Sequence, residues 1–293
     1  MMKIGFNQAT SMNCSTLEKD VLLCEKNGFD FIEFRLDKLK EYLKDHNLED
    51  LKKLLAGKKI KPHALNALYT YDNLFADENS EKDNELVKEF IWGCHIAKEI
   101  QAGYFIIVPP LQRDPNGGPY IGSVEKTHEN CVRILNHLSE IANDYNVKLC
   151  FELVGFNRSS VRTVEQAWNI VNEVDKDNVG LVFDSYNLHL YHGLNDFREI
   201  KNVDVKKIFC THINNGDFID IDKASQENRR FCDFGSVDLN NFLKNLKETG
   251  YHGIVSVEIF RPEYWQKEPE WVISQAYKTT KKVMENNGIH LSK

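Results

Sequence analysis

Four side chains that can bind a metal or move a proton each end a short apolar segment in the second half of the chain. They are Glu152, Asp184, His212 and Glu258, and the residues just before them are mostly Val, Ile, Leu, Phe and Cys. Confined carboxylates repel one another and lose hydration, whereas a divalent cation reverses that balance. Three oxygen donors and one imidazole suit Mn²⁺, Zn²⁺, Co²⁺ or Mg²⁺. We therefore predict one divalent metal site formed by these four residues.

The elements that must position these residues are apolar runs that alternate with longer amphipathic stretches. We predict eight strands, at residues 3–7, 29–34, 60–65, 104–108, 147–152, 179–184, 207–212 and 254–259. Such alternation is typical of repeated β-α units with a parallel sheet. Eight units favour a closed (β/α)8 TIM barrel, although a doubly wound open sheet uses the same alternation. In a barrel the four strand ends would converge at the mouth, where the βα loops gather.

The spacing of apolar residues also predicts helices, at 17–27, 81–100, 123–145, 163–174, 239–249 and 270–286. No linker rich in Pro, Gly or Ser divides the 293 residues, so we expect residues 1–293 to form one barrel domain. The loop at 109–122 fits two interpretations equally, an active-site lid or an ordinary surface loop.

The composition of the chain indicates which kinds of molecule it is suited to bind. The net charge is −7, so long-range attraction to nucleic acid or anionic lipid should be weak, and a small neutral or metal-bound substrate suits this surface better. The seven cysteines are odd in number and never form Cys-x-x-Cys, a pattern that indicates reduced thiols in a cytoplasm. Neither an export signal nor a membrane span is expected.

A resemblance to a known family covers nearly the whole chain. Four segments in the second half carry it: FELVG (151–155), DNVGLVFDS (177–185), KIFCTHI (207–213) and VSVEIFRPEY (255–264). Three segments in the first half add to it: LLCEKNGFDFIE (22–33), EYLKDH (41–46) and IKPHALNAL (60–68). These segments resemble the xylose-isomerase-like sugar isomerases and epimerases, and within that family they are most similar to the inosose (2-keto-myo-inositol) isomerases.

The resemblance implies the fold, the chemistry and the roles of the strand-end residues. All four are implied to be metal ligands in a (β/α)8 barrel, with Mn²⁺ or Zn²⁺ foremost and Co²⁺ or Mg²⁺ as alternatives. Glu152 and Glu258 are also implied to act as acid and base on a ketosugar or ketoinositol. An α-hydroxyketone held by a metal has an acidified C–H, because the cation stabilises the enediolate. Which glutamate removes the proton first stays open.

The sequence departs from the family at two points. The family commonly has Asp-x-x-His after strand 6, where this chain has Asn187, and an amide can donate a hydrogen bond but cannot carry a proton as His can. His189 lies two residues further along the chain. It either replaces the missing histidine in the site or is an ordinary packed or surface residue. After strand 7 the segment around Arg229 is altered, although Arg229 is still a candidate for binding a substrate oxygen.

Three more residues are weaker candidates for substrate contact. Glu33 ends strand 2 and either bonds a substrate hydroxyl or pairs with a basic side chain such as Arg35. His63 is placed near the end of strand 3, at the edge of the pocket, or else is structural. Asn66 either binds substrate or is structural.

The leading interpretation is thus a metal-dependent isomerase or epimerase of a ketosugar or ketoinositol. A dehydratase of the inosose dehydratase type, or another ketose 3-epimerase, would use the same barrel and differ in its product. An endonuclease IV-like hydrolase needs more metal-binding His residues, and the acidic net charge also argues against it. A barrel that binds sugar without converting it is the non-enzymatic alternative.

Overall fold

The computed structural model describes residues 1–77, 80–112, 114 and 118–289. Within them, eight parallel strands close into a barrel. The barrel strands are β1 (Lys3–Asn7), β2 (Phe31–Arg35), β3 (Lys61–Tyr69), β4 (Tyr104–Val108), β5 (Lys148–Glu152), β6 (Val179–Asp184), β7 (Ile208–Ile213) and β10 (Ile254–Val257). Strand β10 closes the ring against β1, with Lys3 opposite Ile254. Closure confirms the predicted TIM barrel and excludes the open sheet.

Helices cover the outside of the barrel. They are α1 (Leu17–Asn27), α2 (Leu36–Asp45), α3 (Leu48–Leu55), α4 (Glu81–Ile100), α5 (Val124–Asp144), α6 (Val164–Val174), α7 (Ser185–His192), α8 (Leu239–Glu248) and α9 (Pro269–Asn286). All six predicted helices are confirmed, while α2, α3 and α7 were not among them. Thr16 caps α1 by accepting a hydrogen bond from the Lys19 amide, and Gly28 ends it with a φ of 93°. None of the described helices is long and apolar enough to cross a membrane.

Strand β3 is longer than predicted. The apolar pattern ends at Leu65 because Asn66 is polar, yet the strand continues to Tyr69. Asn66 is buried and its side chain bonds a carboxylate inside the barrel, so a polar residue here does not end the strand. His63 is therefore the third of nine strand residues and does not lie near the strand's end.

A short antiparallel pair of strands follows β7. Strands β8 (Asn215–Gly216) and β9 (Arg229–Arg230) pair so that Gly216 faces Arg229. A Cβ on Gly216 would collide with the ring of Tyr186, so this position requires glycine. The hairpin brings Arg229 to the carboxyl ends of the barrel strands. Residues 113 and 115–117 of the loop at 109–122 lie outside the described residues, and a lid there stays a prediction.

Candidate metal and acid-base site

The four predicted ligands lie together at the carboxyl ends of adjacent strands. Glu152 and Asp184 are the last residues of β5 and β6, His212 is the fifth residue of β7, and Glu258 directly follows β10. All four are buried, and Glu152 is the most exposed at 6%. The Nδ1 atom of His212 lies 3.3 Å from Oε2 of Glu258 and 3.7 Å from Oε1 of Glu152. The strand ends thus gather one imidazole and several carboxylates in one small volume.

Three of these side chains fit a divalent cation. One ligand atom from each of Glu152, His212 and Glu258 lies within 4.8 Å of the other two. Nδ1 of His212 is buried and makes no hydrogen bond, so in the neutral ring its lone pair is free to bind a metal. Imidazole nitrogen and carboxylate oxygen are both ligands that Zn²⁺ takes in proteins. The donor set therefore matches the predicted ion.

Asp184 faces the same volume with its oxygens already hydrogen-bonded. Its Oδ1 accepts from the backbone amide of Asn187 at 2.8 Å, and its Oδ2 accepts from Asn214 at 2.6 Å and from Arg229 at 2.7 Å. Asp184 lies opposite His212 in the register of β6 and β7. Asp184 is not in the group of side chains whose ligand atoms lie within 4.8 Å of one another, and its role as a fourth ligand stays a prediction.

Arg229 is enclosed in the site and is only 1% exposed. Its Nη1 contacts Oδ2 of Asp184 and, at 3.1 Å, Oε2 of Glu258. The guanidinium carbon lies 5.7 Å from the ring centroid of Tyr186 and 5.5 Å from that of Phe260, distances that allow cation–π attraction. Nε makes no hydrogen bond. Arg229 is thus held between two acids and two rings, close to the predicted metal ligands.

The two glutamates have different partners. Oε1 of Glu258 accepts hydrogen bonds from Asn7 at 3.0 Å and from Asn66 at 3.1 Å. Oε1 of Glu152 accepts one longer bond, 3.3 Å, from Asn187. Burial raises the pKa of Glu152, and the nearby Glu258 carboxylate acts in the same direction.

The pKa of Glu258 moves the opposite way. Burial alone would raise it, but the charges of His212 and Arg229 hold the pKa of this carboxyl well below its usual range. The pair therefore combines a carboxyl that keeps its proton more readily with one that ionises more readily.

Two of the predicted substrate contacts have other surroundings. Glu33 is fully buried and pairs neither with Arg35 nor with a surface group, because its carboxylate bonds His212 and Asn7 inside the barrel. His63 packs against Phe31 and Tyr104, which are the first residues of their strands, so it lies towards the opposite end of the barrel from the site. Contact between His63 and substrate stays a prediction.

The other residues predicted to contact substrate lie at two different places. Asn66, Asn187 and Arg229 all contact site carboxylates. His189 instead bonds Asn195 through its Nδ1, at 3.0 Å. Asn66, Asn187 and Arg229 thus lie where substrate contact is possible, while contact itself stays a prediction.

Sequence reasoning missed two asparagines that shape the site. Asn7 is the last residue of β1 and donates to both Glu33 and Glu258. Asn214 directly follows β7 and bonds Asp184. Both occupy strand-end positions like those of the predicted ligands, and that shared position was the available signal.

The comparisons with known proteins agree with this geometry. Residues 21–275 match the family model described as xylose isomerase-like TIM barrel. The chain belongs to that family. An inosose isomerase of Halalkalibacterium halodurans is 39% identical over 287 residues, which are 98% of each chain. An inosose isomerase of Bacillus subtilis is 40% identical over 280 residues, covering 95% of this chain and 96% of the other.

A solved structure is equally similar. A 1.8 Å crystal structure of the IolI protein with a bound zinc atom shares 39% identity with this chain and has a TM-score of 0.88. The match covers 98% of this chain and 99% of that one. The predicted family is thus confirmed in sequence and in structure.

Proposed function

We propose that the protein is a divalent-metal-dependent isomerase that converts 2-keto-myo-inositol into a neighbouring ketoinositol. One observation carries the chemistry: two buried glutamates flank an imidazole nitrogen that makes no hydrogen bond. Full-length similarity to inosose isomerases supports the substrate. The zinc in the IolI structure supports Zn²⁺, and Mn²⁺ fits the same donors.

The chain's own groups suffice for the proton movements. When bound between Glu152, His212 and Glu258, with Asp184 as the proposed fourth ligand, the ion would supply Lewis-acid stabilisation of charge on the substrate oxygens. One glutamate takes the proton from the carbon that bears the hydroxyl group. A proton then returns to the former carbonyl carbon. The hydroxyl proton also passes from the first oxygen to the former carbonyl oxygen, so the ketone moves by one position.

Arg229 and Asn187 are proposed to orient the substrate. The Arg229 guanidinium is fixed and positively charged, so it can attract an oxygen on which negative charge develops. Asn187 already donates to Glu152. It can hold a hydroxyl group beside that carboxyl, but unlike His it cannot relay the proton.

Proton NMR of 2-keto-myo-inositol in D₂O with the Zn²⁺-loaded protein tests the proposal. We expect deuterium to enter the carbon next to the ketone and a second ketoinositol to appear. Both should be lost after chelation and in Glu258→Gln, whereas Glu165→Gln, an exposed glutamate on α6, should keep them. A dehydrated product would instead establish a lyase, and no exchange at all would exclude this substrate.

A further inference from the structure

The carboxylate of Glu33 contacts the ring nitrogen of His212 that lies farther from Glu152 and Glu258. The Nε2 atom of His212 lies 3.0 Å from Oε2 of Glu33, on the side of the ring that faces away from Glu152 and Glu258. The side chains of His212 and Glu33 are both fully buried. Contact between Glu33 and substrate was expected from the sequence alone.

Glu33 is itself held in place. Asn7 donates to the same Oε2 atom at 3.1 Å, and the thiol of Cys210 lies 3.7 Å from Oε1. Asn7 also donates to Glu258, so one amide joins Glu33 to the acid-base pair. The position of the carboxylate is therefore fixed relative to the site that it faces.

The chemistry of this contact decides which ring nitrogen is available. An ionised carboxylate only accepts hydrogen bonds, so the hydrogen atom must lie on Nε2 of His212. In the neutral imidazole the lone pair then lies on Nδ1, the atom near the two glutamates that makes no hydrogen bond. A carboxylate on the far nitrogen also increases the basicity of the ligating one.

We propose that Glu33 is a positioning residue that holds His212 in the tautomer whose Nδ1 atom binds the divalent ion. This inference rests on the metal-dependent function proposed above, and it reassigns Glu33 from contact with substrate to control of a metal ligand. Glu33 acts through His212 and touches neither the ion nor the reacting carbon.

The metal affinity of Glu33→Gln tests the proposal directly. A glutamine side chain has nearly the same shape but loses the charge, and its amide can donate to His212 and favour the wrong tautomer. We expect Zn²⁺, titrated in competition with a chromophoric chelator, to bind about 10- to 100-fold more weakly than to the unchanged protein. Unchanged affinity would overturn the proposal.

A matched control separates this effect from the general cost of losing a buried carboxylate. Asp20 is also fully buried, and its Oδ2 pairs with Lys38 at 2.6 Å, away from the site. Asp20→Asn should lower the stability but leave the Zn²⁺ affinity unchanged. If both variants weaken zinc binding equally, Glu33 has only a structural role.

A measurement on the unchanged sequence keeps the proposal testable if Glu33→Gln does not fold. In protein labelled with ¹⁵N-histidine and loaded with ¹¹³Cd²⁺, we expect a metal coupling to Nδ1 of one ring and a hydrogen on its Nε2. Coupling to Nε2 would overturn the proposal. If the protein fails to isomerise the inosose but Glu33→Gln weakens zinc binding, only the proposed function fails. Isomerisation with unchanged zinc affinity in Glu33→Gln would instead refute the role of Glu33.

Discussion

His63 should make the protein less stable in mild acid. Its ring is buried between Phe31 and Tyr104, and its Nε2 atom makes no hydrogen bond. Burial lowers the pKa of His63 from 6.5 to about 4, although the charge of Glu33 opposes this shift. The folded protein therefore keeps this ring neutral at a pH where the unfolded chain has already protonated it.

The sign and size of the effect follow from linkage. Between pH 6.5 and 4 the unfolded chain binds up to one more proton at His63 than the folded protein does. The contribution of this histidine to the unfolding free energy is therefore fully present above pH 6.5 and is lost as the pH falls. At pH 5 the loss amounts to about 2 kcal/mol of unfolding free energy. It grows to about 3 kcal/mol below pH 4.

Urea unfolding at pH 7.5 and pH 5.0 measures this loss. His63→Phe keeps an aromatic ring but cannot titrate, so its stability should fall by about 2 kcal/mol less than that of the unchanged protein over this interval. His252→Gln, at an exposed histidine, should behave like the unchanged protein. Equal pH dependence of His63→Phe and the unchanged protein would refute the reasoning.

The same variant also tests where His63 acts. If the side chain belongs to the barrel core, the KM for the inosose should change by less than about twofold at pH 7.5. A large rise in KM with unchanged kcat would show that His63 contacts the substrate after all.

Three further substitutions test the site. Asn66→Ala removes a donor to Glu258 and should cost about 1.5–3 kcal/mol of unfolding free energy, measured in urea. An unchanged unfolding free energy would contradict this. Gly155→Ala places a Cβ against the carbonyl oxygen of Asn187, and a thermal melt should show a loss of about 1–3 kcal/mol. Arg229→Leu leaves two buried acids without their cation and should cost about 3–5 kcal/mol. Zinc should restore part of the Arg229→Leu loss, and a melt that zinc does not shift would contradict this.

Much of the site was predictable because its chemistry lies at strand ends. A residue such as Glu152 follows an apolar run, and the repeat of β-α units places every such end at one mouth of the barrel. The extent of β3 was not predictable from the apolar pattern, because Asn66 is polar. The pattern cannot show that the Asn66 side chain donates a hydrogen bond to the Glu258 carboxylate inside the barrel. Placing His63 at the pocket edge followed from that shortened strand.

The contact between Glu33 and His212 was beyond sequence reasoning for a different reason. Strands β2 and β7 are not neighbours in the ring, so the two side chains meet across the barrel interior. Strand-end position shows that a residue reaches the mouth, but not which residue on the far side it will contact. Only the closed geometry reveals that Glu33 faces His212, the proposed metal ligand.

Closure of the barrel also explains why Asn7 matters to the site. Strand β1 lies between β10 and β2, and Asn7 at its end donates to Glu258 on one side and to Glu33 on the other. In an open sheet, the first and last strands would not have to be neighbours, and a single amide would not reach both carboxylates. The hydrogen bonds that fix Glu258, the proposed acid or base, and Glu33, the partner of His212, therefore depend on the same strand pairing that completes the fold. We infer that the site and the barrel closure stabilise each other.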